Sequence, residues 1–448
     1  MMSNQRDCSL TGPASPSKAI SLKSETTFLR PIQWLATTAL ACFYAIALIV
    51  DRAAGVLYGL LIVVGLFALI FGGKIYWPQF GSLMRRYWPL ALAMAALMLA
   101  VLANQISRGQ FSGRSIDAPS RLALFLLAFW AISLVSLRQL RYLQWAFVAG
   151  AILSAVKIHL LSHGGEVRYL TDFIPITIFI EMAMLVGVFC LFSISWQGSE
   201  NKLLIAIKLL AAVAVLYGSY ISGSRGAWIT IPVFLGIGLI SAKNISRRSK
   251  LTIAVSVVLV LAGAMSQARL AKERIEIAKQ DLQQYSEGNS DTSIGNRFEL
   301  WKGSVVIFKE HPVVGVGVDK YGDALRDLAD RKIITQVASW FVHSHNEFLF
   351  NAARLGILGV FALLALYLVP AYYFARDLRH DDRQIRRVAA MGLSLCAGIF
   401  VLGLTDVVFL WWEVFPFYAI SIATFLALMD KRKIEGGAGH SGIPALIR

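Results

Sequence analysis

Charge is what this sequence has least of. Only 16% of its 448 residues are Asp, Glu, Lys or Arg, against 57% hydrophobic. A string of water-soluble domains is excluded, because their surfaces need far more polar cover. Acids are scarcer than bases, 27 against 43, for a net charge of +16. Cysteine is nearly missing. Cys8, Cys42, Cys190 and Cys396 fall in the N-terminal tail or in apolar runs, so no disulfide framework or cysteine metal cluster is implied. The GxxxxGK[ST] phosphate-cradling loop is absent, and ATP is not expected. No small-residue cleavage signature follows the first apolar run, which reads as a retained signal anchor.

What the chain has instead is about twelve apolar segments, near 32–50, 54–72, 88–106, 122–136, 142–161, 174–194, 203–221, 227–241, 251–267, 355–375, 388–409 and 415–429. About 20 such residues cross a bilayer as a helix, so the fold class is an all-α polytopic membrane protein with about 12 transmembrane helices. The basic residues are not evenly spread. With the N-terminus inside, the inner segments collect Arg85, Arg86, Arg138, Arg141, Lys243, Arg247, Arg248, Arg379, Arg383, Arg386, Arg387, Arg432 and others. The short outer loops keep only a few arginines. That bias places both termini in the cytoplasm, and it explains the basicity without nucleic acid, which is not expected as a partner. The organisation that follows is a disordered cytoplasmic tail over 1–30, helices 1–9 over 31–267, a large outer loop over 268–342, a histidine motif with helices 10–12 over 343–430, and a cytoplasmic tail over 431–448.

The outer loop, between spans 9 and 10, breaks the pattern. It is far longer than ordinary connections, and such loops are usually functional. Its periodicity predicts helices over 269–285 and 297–308 and a third, capped by Asp319, running to Ile333. A compact helical cap over the outer face is the simplest account.

Three constellations carry chemistry. Ser222-Gly223-Ser224-Arg225-Gly226 interrupts two apolar runs at the outer boundary. Glycines there permit close approach by a ligand, although an interfacial arginine can also simply snorkel to lipid phosphates. Gly295-Asn296-Arg297 opens a loop helix, where a cation is out of place unless an anion binds; a salt bridge to Glu299 or another loop acid is the alternative. The third is His343-Ser344-His345-Asn346-Glu347. Ser344 with Glu347 has the spacing of a capping box, predicting a helix from His345. The helix dipole then favours a neutral imidazole able to take a proton, the alternative being a histidine that only packs. His343 and His345 are too few for zinc, with no matching third ligand evident, so no metal is expected. Arg168 could reach phosphates, and Asp406, near the outer end of its span, could orient His345 or pair with a nearby base.

His345-Asn346, nine intervening residues and Gly356 resemble the signature of the O-antigen ligases of lipopolysaccharide assembly, within the wider O-antigen ligase/polymerase superfamily. The motif follows a large loop between late spans, as in that family, and Arg225 and Arg297 fall where the family places functional arginines. The resemblance implies a GT-C-type membrane glycosyltransferase in the bacterial inner membrane, with its active site facing the periplasm. It implies transfer of a preassembled glycan from undecaprenyl pyrophosphate to a sugar hydroxyl of lipid A–core. His345 would be the general base, Arg225 and Arg297 would bind the pyrophosphate, and Arg168, His343, Asn346 and Asp406 would support them or the acceptor. No cofactor is expected; membrane lipids are the surroundings. An O-antigen polymerase or an O-linked protein oligosaccharyltransferase would use the same donor chemistry. A lipid-linked glycan flippase would instead spread its charges along a central pathway, and here they cluster on one face.

Overall fold

The computed structural model describes residues 16–165, 173–196, 198–224, 226–243, 245–267 and 269–437, with side chains undescribed at 16–28, 260–262, 264–275 and 437. Among the described residues every regular element is helical. The first half of the bundle comprises α1 (Pro16–Ile46), α2 (Ala53–Phe71), α3 (Gly73–Arg108), α4 (Gly113–Ala123), α5 (Phe125–Leu134) and α6 (Leu137–Leu161). It continues through α7 (Ile176–Ser193), α8 (Lys202–Ile221), α9 (Gly226–Ser241) and α10 (Arg247–Gln267). A cap follows, made of α11 (Arg269–Ser286), α12 (Ser293–Glu310) and α13 (Tyr321–Asp330). The chain then closes the bundle with α14 (Glu347–Ala375), α15 (Arg383–Gly403) and α16 (Val414–Gly437).

Nine helical segments among the described residues are long and apolar enough to cross a bilayer. This is the architecture of a polytopic membrane protein. The helix α9 is apolar but shorter, and the segments expected at 32–50 and 251–267 lie on α1 and α10. α7 and α16 are the innermost spans, whereas α2 turns Val56, Val63 and Ile70 outward at 59–69% exposure. A helix face that apolar would be costly in water and costs nothing against lipid tails.

Several expected boundaries move. The segment expected at 122–136 is the second part of a longer unit: α4 and α5 run on from Gly113 with a break at Leu124. The segment expected at 88–106 belongs to α3, which is kinked at Tyr87. Pro89 has no N–H for the carbonyl of Arg85, so the ladder opens there. α1 begins at Pro16, inside the stretch expected to be a tail, and α16 extends past residue 430 to Gly437. In the cap, α12 starts earlier than periodicity suggested, at Ser293 behind a Thr292 side-chain cap. Lys320 occupies the N-cap position of α13; Asp319 instead accepts a hydrogen bond from Ser115 Oγ at 2.6 Å. That bond joins the cap to the bundle.

The opposite end is held by ion pairs. Arg86 meets Asp430 at 2.8 Å, Arg432 meets Asp382 at 2.8 Å, Lys433 meets Asp377 at 2.6 Å and Arg141 meets Glu435 at 3.0 Å. These pairs tie α3 at Arg86, the start of α6, the segment between α14 and α15, and the end of α16 together, away from the cap.

Candidate active site

The histidine motif sits at the cap end, where the chain leaves the cap and enters α14. Its helix start differs from expectation. The cap residue is Asn346, whose Oδ1 accepts from the N–H of Phe348 and of Leu349, both at 3.0 Å. Ser344 does not cap; its hydroxyl donates to the carbonyl of Asn346 at 2.8 Å. His345 therefore lies just before the helix, with φ 52° in the left-handed region, a conformation a non-glycine residue keeps only when its surroundings enforce it. They do. The Trp301 indole, on α12, donates to the Ser344 carbonyl at 3.0 Å, and the His345 N–H donates to Nδ1 of His343 at 3.2 Å.

The segment between α15 and α16 faces this turn and is bound to it at several points. Asn346 Nδ2 donates to the Leu404 carbonyl at 3.2 Å. Glu347 is buried and accepts from the N–H groups of Val408 and Phe409, while Asn351 Nδ2 donates to its other oxygen at 2.9 Å. A carboxylate buried this way is tolerated because its oxygens are supplied with donors. Between these braces Asp406 reaches His345, with Oδ1 at 3.7 Å from Nδ1, just beyond hydrogen-bond length. The carboxylate is itself held: Thr177 Oγ1, on the first turn of α7, donates to Oδ2 at 2.8 Å, and the Val407 N–H donates to Oδ1 at 2.8 Å. His345 Nδ1 is buried and has no other partner among the described residues.

Burial alone would push the Asp406 carboxyl up. His345, the Thr177 hydroxyl, His343 and the Val407 amide outweigh it and hold the group below the usual carboxylate range. His343 also moves down, which for an imidazole favours the neutral form. Burial, then the neighbouring His345, and least of all Arg297, set against Asp406, bring it down to about 4. It is neutral at any working pH. The two imidazoles lie with ring centroids 4.3 Å apart and planes at 75°.

Arg297 is half-buried on α12, one turn before Trp301, and its charge reaches His343. It lies in the second turn of its helix and not the first, so the dipole argument for it weakens. The alternative of a salt bridge also falls away: Glu299 pairs with Lys302 at 3.9 Å, and Arg297 makes no ion pair among the described residues. Arg225 and Arg168 lie outside the described residues. Gly226 is described, and a Cβ there would stand 3.7 Å from Thr405 Oγ1. Gly226 therefore abuts the segment that carries Asp406.

Gly356 has a structural task. It breaks α14 with φ 63° and ψ −153°, and residues 312–318 lie across the opening as a strap. The Val316 and Gly317 N–H groups donate to the carbonyls of Ala353 and Arg354, both at 2.9 Å, and the Ile357 N–H donates to the Pro312 carbonyl at 2.8 Å. From the other side, Asn104 and Arg108 of α3 donate to the carbonyls of Val314 and Gly315 at 2.6 and 3.2 Å. Arg354 donates to the Val318 carbonyl at 3.2 Å. A Cβ on Gly356 would stand 2.4 Å from the Val313 carbonyl.

Of the residues read from the sequence, the fold thus brings His343, His345, Asn346 and Asp406 together, with Arg297 beside them. It also supplies a third group that sequence spacing did not show: the donor atoms of His343, His345 and Asp406 all lie within 4.8 Å of one another. Sequence reading passed over Thr177, Trp301 and the bracing role of Glu347. It also missed Glu181, a fully buried acid in the apolar α7 that accepts from Thr230 Oγ1 at 3.2 Å. An ionisable residue inside an apolar run was signal enough to mark it. Glu413, just before α16, is likewise buried, and its carboxyl is pushed up to about 7 by that burial.

Comparison with known proteins bears out the resemblance over part of the chain: a family model for O-antigen ligase matches residues 210–364. That stretch runs from α8 through the cap to the middle of α14, and includes Arg225, Arg297, His343, His345, Asn346 and Gly356. An O-antigen ligase of Escherichia coli (strain K12) is 26% identical over 253 residues, covering 56% of this chain and 57% of its own. An uncharacterized protein of Haemophilus influenzae is 28% identical over 187 residues, 41% of this chain and 47% of its own. The chain spans about half the length of the curated relatives it matches.

Proposed function

We propose, from the O-antigen ligase match and the geometry beside it, that this protein is an integral-membrane glycosyltransferase. It moves preassembled O-antigen polysaccharide from undecaprenyl pyrophosphate to a sugar hydroxyl of lipid A–core. The observation that carries the reading is the pairing of His345 with Asp406 next to Arg297, at the end of the bundle that bears the cap. The cap end faces the periplasm and the ion-paired basic end the cytoplasm, in keeping with the positive-inside bias. The fold is of the GT-C type, and the membrane is the bacterial inner membrane.

The reaction has two needs. An acceptor hydroxyl must lose its proton, and a diphosphate must leave with its negative charge stabilised. A proton on Nδ1 of His345, turned to Asp406, leaves Nε2 as the acceptor of the hydroxyl proton. The hydroxyl oxygen then bonds to the anomeric carbon as the bond from that carbon to the diphosphate breaks, with inversion. Asp406 steadies the imidazolium that results, as the acid of a catalytic triad does. Arg297 and Arg225 take up the charge on the departing diphosphate, a task suited to guanidinium forks that stay charged at any pH of interest. The reaction draws its energy from the pyrophosphate linkage and needs no ATP. Arg168 reaches acceptor phosphates.

A lipopolysaccharide gel of a deletion strain, read together with the undecaprenyl-linked glycan pool, tests the assignment. The expected result is loss of the whole O-antigen ladder while long glycan accumulates on undecaprenyl. Core carrying a single repeat unit would make the protein a polymerase instead. An intact ladder with unmodified glycoproteins would point to a protein acceptor, and an intact ladder with no glycosylation defect would overturn the transferase reading.

A further inference from the structure

Two imidazoles and a carboxylate with donor atoms within 4.8 Å of one another form the donor set of an open transition-metal site. Zinc binds nitrogen and oxygen donors at about 2.0–2.2 Å and leaves a position open where the protein supplies three. The 3.7 Å between His345 Nδ1 and Asp406 Oδ1 is close to the separation of two ligands around such an ion, and drawing the whole set in from 4.8 Å takes a side-chain adjustment of about 1 Å. The surroundings resemble those of a built site. Metal-binding carboxylates are oriented by hydrogen bonds from outside the ligand shell, and Asp406 is held by Thr177 and by the Val407 amide. The turn carrying both histidines is fixed by Trp301 and by the left-handed backbone at His345. His345 Nδ1 is buried with no hydrogen-bond partner among the described residues. Two nitrogens and one oxygen favour zinc, copper or nickel over magnesium and calcium, which prefer all-oxygen shells. Arg297 nearby opposes any cation, so the site would fill reversibly and not hold a resident ion.

We infer that His343, His345 and Asp406 form a zinc site whose filling competes with the reaction, because the ion occupies the His345–Asp406 pair that the base needs. The competitive role rests on the proposed function above; the binding itself does not. Zinc is therefore an inhibitor from the periplasmic side, and it reaches the pair only when substrate is absent.

The test uses the full-length protein in detergent, with zinc chloride titrated against a chromophoric chelator. One zinc per chain is expected, bound at least tenfold more weakly in His343→Ala and in Asp406→Asn, with both variants monodisperse by size exclusion. A millimolar excess of magnesium should not displace it. In parallel, transfer from lipid-linked glycan to lipid A–core should slow at least tenfold at saturating zinc, and recover when EDTA is added. No stoichiometric zinc, or equal affinity in the wild type and both variants, overturns the site. A rise in transfer with zinc, or its loss with EDTA alone, overturns the competitive role and makes the ion part of the chemistry. If zinc binds as described but no transfer occurs under any condition, the failure belongs to the proposed function, and the competitive role falls with it while the site stands.

Discussion

At the scale of single residues, His345 and Asp406 make separable predictions. His345→Ala removes the proposed base and leaves the fold in place, since among the described residues the ring meets His343, Phe341 and Asp406 at a partly open turn. Transfer by the purified variant should fall by about 10²–10⁴, the range general base catalysis supplies; turnover near that of the wild type would remove the assignment. Asp406→Asn keeps the size and takes the charge. With no carboxylate to hold the ring and stabilise the imidazolium, transfer at neutral pH should fall by about tenfold or more, in kcat rather than KM. Asp406 is held below the usual carboxylate range, so its replacement removes a charge present at neutral pH. An unchanged kcat in Asp406→Asn would show that the carboxylate does not act on the base.

At the scale of elements, the strap across α14 explains why the histidine motif ends in a glycine after nine intervening residues. The helix opens at Gly356 so that its carbonyls at Ala353 and Arg354 can accept from the strap, and every buried backbone group needs such a partner. Gly356→Ala meets both a positive φ and a backbone carbonyl carbon and oxygen 2.4 Å from the new Cβ. It should destabilise the protein by at least about 2 kcal/mol, seen as a Tm lowered by several degrees in detergent. Gly81→Ala, within α3 where nothing lies within 4 Å of a Cβ, is the control and should be neutral or slightly stabilising. Equal Tm for the two variants would mean the strap is not seated as described. The sequence showed this motif only as spacing. What sets the spacing is a strand-like pairing with residues some forty positions earlier, and no local pattern announces that.

At the scale of the whole molecule, the separation of a polar cap from an ion-paired basic end predicts a single orientation in the membrane. In a background with all four cysteines replaced, Gln283→Cys on α11 and Arg379→Cys beyond α14 are both exposed positions. A membrane-impermeant maleimide applied from the periplasmic side should label the first and spare the second. The reverse pattern would put His345 in the cytoplasm, where lipid A–core carrying O-antigen is not assembled on this reading.

The apolar periodicity determined the helical class by itself, because a segment of that length and composition has few other ways to satisfy its backbone in lipid. It determined the polar cap as the exception, and it marked His345, Arg297 and Asp406 as polar residues needing a reason. Element ends were less legible. Pro89 and Leu124 break helices inside apolar runs, and Asn346 won the cap from Ser344 by a choice among neighbouring side chains. What only the tertiary structure decided is the site's assembly. Asp406 is 61 residues from His345 and Thr177 is 229 from Asp406, and which face of α7 meets which turn of α14 depends on the packing of the whole bundle. Burial, too, is a property of the fold: the same carboxyl that reads in sequence as a lone acid after a span becomes, between Thr177 and the Val407 amide, a fixed partner for an imidazole.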